Sequence, residues 1–202
     1  MNYGEFKNYV LQLLDRYSVA GTAVPPSYCN QADLLARLPA LADDALVCLA
    51  TTACRLRASA ALTNGTAEDG WTVYALPEDC WQLCAGGVYR PGEDGVRVRD
   101  GCFRLLGGGR IAFPDDSPRT AEYFRYPRAL GPAPADDAAL DCPREAAPAA
   151  AFYAAAQLVL QDEPYAHAAL YNEFETRLSR LGELPAALCE PLQNDYETGG
   201  AE

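Results

Sequence analysis

The chain has almost no histidine and almost no lysine: of 202 residues, only His167 and Lys7 belong to these types. A catalytic triad or a histidine-based metal site would have to be built around one imidazole. That imidazole lies between Ala166 and Ala168 with no serine or cysteine nucleophile motif beside it. His167 is expected to be a surface or packing residue. The glycine run Gly107-Gly108-Gly109 lacks the Lys-Ser or Lys-Thr of a P-loop and lies between two strand-like runs, so it reads as a turn. No apolar run approaches the roughly 18 residues of a membrane span. The segment Met1 to Leu14 carries Glu5 and Lys7 inside its apolar pattern and has no basic leader, so no signal peptide is expected. The expectation is a soluble protein, without a membrane partner, made in a reducing cytoplasm.

The formal net charge is -12, with fifteen arginines among the 16 basic residues. Phosphate backbones are bound chiefly by Lys and Arg, so tight nucleic-acid binding is disfavoured. An acidic surface still suits a wall past which DNA moves, because like charges keep a polyanion from sticking. Half of the residues are hydrophobic, enough for a substantial core in a chain of this length without disulfide or metal staples. The eight cysteines therefore read as reduced thiols packing as small hydrophobes rather than as a secreted disulfide framework. Cys80 and Cys84 form one close pair, but no second pair at matching spacing completes a zinc site. Neither a cofactor nor a metal is expected.

The acidic pairs Asp115-Asp116 and Asp136-Asp137 fall in proline-bearing stretches and read as solvated turn residues, not as catalytic acids. Arg97, Arg99, Arg104 and Arg110 are placed to gather on one side of a sheet. They read as solvated strand positions or as salt-bridge partners for a neighbouring acidic subunit.

Periodicity divides the chain into helices, then strands, then helices. Tyr3, Phe6, Val10, Leu13, Leu14 and Tyr17 form one helical stripe, ending near Gly21. Asn30 can cap a short helix through Leu38, and Pro39 suits the first turn of a new one. That second helix carries Leu41, Ala45, Leu46, Leu49, Ala53 and Leu56, with Arg55 and Arg57 closing it. Beyond Asn64-Gly65 the period becomes two. Strands are expected at Trp71 to Leu76, Val96 to Arg99, Cys102 to Leu106, Arg110 to Phe113 and Thr120 to Tyr126, joined as a meander through Asp100-Gly101 and the glycine run. A short helix carrying Trp81 and Leu83 is expected after Pro77. Residues 131–137 have linker chemistry. Two helices follow, one with Pro148 in its first turn and one beginning near Pro164 and stopping at Gly182. The expected fold is α+β, with terminal helices packed as a helical bundle and an antiparallel sheet inserted. Its parts are residues 1–62, a β-rich insertion at 63–130, closing helices at 131–183 and an acidic tail at 184–202.

Four passages carry a family resemblance. Leu38-Pro39-Ala40-Leu41 opens the second helical stripe, and Tyr74-Ala75-Leu76-Pro77-Glu78-Asp79 runs on into Cys80-Trp81-Gln82-Leu83. Tyr123-Phe124-Arg125-Tyr126-Pro127 ends the last strand, and Ala151-Phe152-Tyr153 pairs with Tyr171-Asn172-Glu173-Phe174-Glu175 in the closing helices. In this order they resemble the head-tail adaptor proteins of tailed bacteriophages, of the tail tubular protein A type. The resemblance spans roughly residues 3 to 182. The many cysteines and the long acidic tail depart from it.

The resemblance implies a non-catalytic virion protein, made in the bacterial host, that forms a homo-oligomeric ring under the portal and receives tail or neck proteins. DNA would pass through the ring without specific binding. The tail, with Leu184, Leu188, Leu192 and Tyr196 as apolar anchors, is either a solubilising extension or a segment that orders against a partner. Two rival readings remain: another neck or tail completion protein, or a zinc-dependent enzyme built on Cys80, Cys84 and His167.

Overall fold

A computed structural model describes residues 1–14, 18–19, 22–23, 32–92 and 96–182. The tail anchors Leu184, Leu188, Leu192 and Tyr196, together with Asn30, Tyr17 and Gly21, lie outside these residues.

Helix α1 spans Tyr3–Leu13. Asn2 caps it: its side chain accepts from the Glu5 amide at 2.8 Å, and Glu5 accepts from the Asn2 amide at 2.9 Å. This reciprocal box satisfies two of the donors that a helix start leaves open. The helix ends earlier than its apolar stripe predicts, and Ser18–Val19 (β1) pairs with Thr22–Ala23 (β2) in a two-stranded hairpin.

Helix α2 runs unbroken over Ala32–Thr52 with Pro39 inside it, correcting the expected division at that residue. Proline removes one ladder hydrogen bond, but the Pro39 ring is buried beside Leu38 and Ala42, and this packing offsets the loss. The other end also differs. Leu56 opens a strand, so Arg55 and Arg57 do not close the helix.

Helix α3 (Ala147–Val159) carries Pro148 in its first turn, where the missing amide costs nothing, and α4 covers Pro164–Gly182. The helices meet chiefly through α3, which packs against α1, α2 and α4. Its buried positions are mostly alanine, and small side chains let neighbouring helix axes approach. The core they enclose includes Phe6, Val10, Leu46, Leu49 and Phe174.

Between α2 and α3 lie two four-stranded antiparallel sheets. The first is ordered β3 (Leu56–Leu62), β10 (Arg119–Arg125), β6 (Cys80–Pro91), β7 (Arg97–Arg99). The second is ordered β4 (Thr66–Glu68), β5 (Trp71–Ala75), β9 (Arg110–Phe113), β8 (Arg104–Leu106). Leu62, Val88 and Ala121 of the first pack with Tyr74, Ile111 and Phe113 of the second in one core.

This is an α+β fold, with the strands arranged otherwise than as a single meander. Consecutive strands β7 and β8 belong to different sheets, so Asp100-Gly101 crosses between layers instead of closing a hairpin. Tight turns do occur where glycine permits positive φ. Asp69 and Gly70 (φ 50° and 78°) join β4 to β5, and Gly108 and Gly109 (73° and 66°) join β8 to β9. Trp81 and Leu83, expected on a short helix, stand on strand β6. Gly86 and Gly87 make a helix costly there, Val88 and Tyr89 favour extended backbone, and β10 and β7 supply hydrogen-bonding partners on both sides.

Residues 136–139, the first two of them in the stretch expected as a linker, clasp the amino terminus. The Tyr3 and Gly4 amides donate to the carbonyls of Ala138 and Asp136, both at 2.8 Å, and Asn2 pairs with Ala139. Lys7 Nζ reaches Asp136 at 2.6 Å. Burial, and then the Asp136 charge, push the Tyr3 hydroxyl up to about 12.

Candidate functional site

The residues that join the sheets to the helices form a polar junction. Strand alternation puts Arg125 on the face of β10 that also carries the buried Ala121 and Tyr123. A cation in that position needs an acid, and Asp141 supplies it. Arg125 donates from Nη1 and Nη2 to the two carboxylate oxygens at 2.6 and 2.9 Å, and the Arg128 amide adds a third bond at 2.7 Å. These donors, Arg125 foremost, hold the Asp141 carboxyl below its usual range. Close by, the Tyr123 hydroxyl donates to Asp79 Oδ1 at 3.0 Å, and the Tyr126 amide donates to the Asp79 carbonyl at 2.7 Å. Arg55 lies 5.1 Å over the Phe124 ring, and the Leu130 amide donates to Asp43 at 2.7 Å.

Two adjoining clefts of about 350 and 420 Å³ open here, sharing Arg125 and Arg128. Arg125 and Asp141 neutralise each other and Tyr123 is committed to Asp79, so these groups fasten two layers together. The lining brings no nucleophile against a base.

The passages singled out in the sequence form two spatial pairs: the second passage with the third, and the two halves of the last with each other. At the junction, Asp79 of the first strand-to-turn passage bonds Tyr123 and Tyr126 of the second. Among the helices, the Tyr153 hydroxyl donates to Asp44 of α2, three residues beyond Leu41. Tyr153 also meets Phe174 edge-on at 5.2 Å, and Tyr171 lies 5.7 Å from the same ring.

His167 lies in neither pair. Its Nδ1 is 3.0 Å from the Ala156 carbonyl and its ring stacks on Tyr171 at 5.7 Å, so it ties α4 to α3. Cys80 and Cys84 share strand β6. Burial, then Asp79 and Cys84, raise the Cys80 thiol. Among the described residues no three His, Cys, Asp or Glu side chains are gathered as metal ligands, so Cys80, Cys84 and His167 do not converge. The six described cysteines are free thiols, and burial pushes Cys142 up to about 11.

The four arginines expected on one side of a sheet are exposed but divided between two sheets, because β7 belongs to the first and β8 and β9 to the second. Arg97 meets Glu122 at 3.4 Å, Arg110 meets Glu68 at 3.5 Å, and Arg104 lies 4.1 Å over the Trp71 ring.

Sequence reasoning missed a buried ion pair between the sheets. Arg119 Nε donates to Asp100 Oδ2 at 2.7 Å, with the side chains only 2% and 8% exposed. The available signal was Arg119 two residues before Ala121 on the inward face of the strand. Asp115 extends the pair outward, meeting Arg119 Nη2 at 2.8 Å. Hydrogen bonds from Ser117, then from Arg119, bring the Asp115 carboxyl down to about 2.

An ordinary aspartate titrates near 4. The stabilisation from Asp115 is therefore complete above about pH 4 and is lost as the pH falls through about 2. Thermal unfolding followed by circular dichroism across that window is expected to show Tm falling, with a shallower fall in Asp115→Asn. Equal slopes would mean that Asp115 is equally solvated in the folded and unfolded chains.

No family model matches the chain, and no curated protein matches it in sequence.

Proposed function

We propose that this protein is a non-catalytic virion component, a head-tail adaptor that assembles as a ring beneath a phage portal and receives the tail. One observation carries the reading: Asp79 of one adaptor-like passage bonds Tyr123 and Tyr126 of another far along the chain, and Tyr153 meets Phe174 across the two halves of a third. The latter pair fastens α3 to α4, with Asp44 of α2 bonded to Tyr153. The other fastens the sheets to the segment leading back into the helices. Such a layout leaves the protein's work to its outer surfaces, as binding and geometry require.

The test is to mix the full chain with the portal protein encoded beside it and to image the mixture by negative stain after affinity capture on the portal. Rings stacked on the portal are the expected result. A folded protein that never associates with the portal would overturn the adaptor reading and point to another position in the neck or tail.

A further inference from the structure

We propose that the outer face of the first sheet binds a single-stranded nucleic acid, with unpaired bases stacked on Trp81, Phe124 and Tyr89 and phosphates beside Arg55 and Arg99. The register of the strands defines that face. Ala121 and Val88 turn inward toward the second sheet, so Thr120 and Tyr89, their next neighbours along β10 and β6, point outward. Phe124, four residues from Thr120, shares that face, as does Arg99, which pairs with Tyr89 from β7. The Trp81 and Phe124 rings lie 6.1 Å apart at 31° to each other, so Trp81 belongs to the same surface. Neither hydrophobic core includes Trp81, Tyr89 or Phe124, and each is partly exposed. Rings held on one solvent-facing sheet surface, outside any core, offer flat apolar platforms to planar partners.

The same face is basic, in a chain whose net charge is -12. Each aromatic station has its own arginine. Arg55 lies 5.1 Å over the Phe124 ring, and Arg99 stands opposite Tyr89. Neither arginine has a carboxylate within ion-pair distance among the described residues. Glu122 is the only acid that the register of the described strands puts on this face, and Arg97 meets it at 3.4 Å, so its charge does not stand uncompensated against a phosphate. The rest of the chain is acidic and repels a polyanion, which steers a strand to this surface and keeps the binding weak and salt-sensitive.

The backbone prepares the site. Pairing between β10 and β6 is irregular between Ala121 and Tyr123, where β6 carries extra residues that include Gly86 and Gly87. Gly86 has φ 64°, and a Cβ there would overlap the Arg99 guanidinium, which therefore lies directly on the bare β6 backbone. A guanidinium seated in this way gives up little freedom when it meets an anion. Phe124 and Thr120 are separated by about 13 Å along β10, so the Trp81 and Phe124 station and the Tyr89 station suit a strand laid along the sheet. A duplex keeps its bases stacked inside and cannot use the rings. The inference goes beyond the adaptor reading, in which DNA passes without being held, and its test needs neither ring nor portal.

Fluorescence anisotropy of labelled oligothymidylate, titrated with the full chain in reducing low-salt buffer, tests it, with oligouridylate and a duplex of equal length measured beside it. Both single strands are expected to bind, more tightly than the duplex, and the better bound of the two tells DNA from RNA as the source. Phe124→Ala, and the double variant Arg55→Gln with Arg99→Gln, should each weaken binding at least about tenfold, with unchanged far-ultraviolet circular dichroism. Arg104→Gln with Arg110→Gln, an equal charge change on the second sheet, should leave the affinity at the wild-type value. The Arg55 and Arg99 double variant should also flatten the dependence of log affinity on log salt by about 1.4 in slope. A wild-type chain that binds neither single strand would overturn the proposal, and the face would then be a contact surface for protein. Binding that the second-sheet variant weakens as much, that Phe124→Ala leaves unchanged, or that a duplex matches would overturn it equally, since diffuse charge alone would explain it.

Discussion

Asp100→Ala is expected to lower the unfolding free energy by about 3–5 kcal/mol, the usual cost of removing one partner from a buried ion pair. Arg119 would remain enclosed, 4.1 Å over the Phe113 ring, with its Nη1 bonded to the carbonyls of Asp115 and Ser117 at 3.2 and 2.9 Å. Those carbonyls carry no net charge, and the remaining carboxylate, Asp115, is half exposed. The Cys102 amide, which donates to Asp100 Oδ1 at 3.0 Å, would lose its acceptor too. Domains of this kind are stable by about 5–15 kcal/mol in all, so the change takes a large share. Urea unfolding should show a lower midpoint at unchanged slope. A loss under about 1 kcal/mol, in the range of a surface pair, would mean that water reaches Arg119.

Phe174→Ala is expected to cost a similar amount, about 3–5 kcal/mol. Phe174 is fully enclosed between Tyr153 and Tyr171, and the facing surface of α3 is largely alanine. Short side chains cannot swing in to fill the hole, so the cavity term is felt almost whole. Only Phe174 and Leu181 of α4 are buried, so the substitution removes one of the two anchors of that helix. Hydrogen exchange should therefore quicken across residues 164–182 more than in β10. A uniform increase over the whole chain would show that α4 and the sheets open as one unit.

The helices could be read from sequence where local chemistry and burial agree. The stripe through Tyr3, Phe6 and Val10 marks the buried side of α1, Pro148 suits the opening of α3, and the stripe through Ala45, Leu46 and Leu49 marks the buried side of α2. Reading failed where tertiary pairing overrides local preference. Pro39 sits inside a helix because its ring is buried, and the alanine-rich run Leu56–Leu62 extends because it pairs along all of β10. Trp81 and Leu83 join a strand for a similar reason.

The junction was half legible: alternation placed Arg125 on the inward face of β10, but nothing local pointed to Asp141 as its partner. The Arg119 to Asp100 pair was hidden more deeply, because it depends on β7 and β8 parting into different sheets. An Asp-Gly step that looks like a hairpin turn carries no mark of that crossing.

The clasp between the amino terminus and residues 136–139 has a consequence for the order of assembly on the ribosome. α1 emerges first, but the backbone groups that hold its start, and the α3 face that covers Phe6 and Val10, are made more than a hundred residues later. β3 likewise waits for β10. Contacts this remote along the chain form slowly, because closing the intervening loop must precede any gain. A nascent chain stopped after β10 would leave Phe6, Val10, Leu46 and Leu49 without the α3 surface that covers them. Emergence of α3 and burial of that apolar face are thus one event, so association of partial chains through that face is a hazard of the interval before α3 is made.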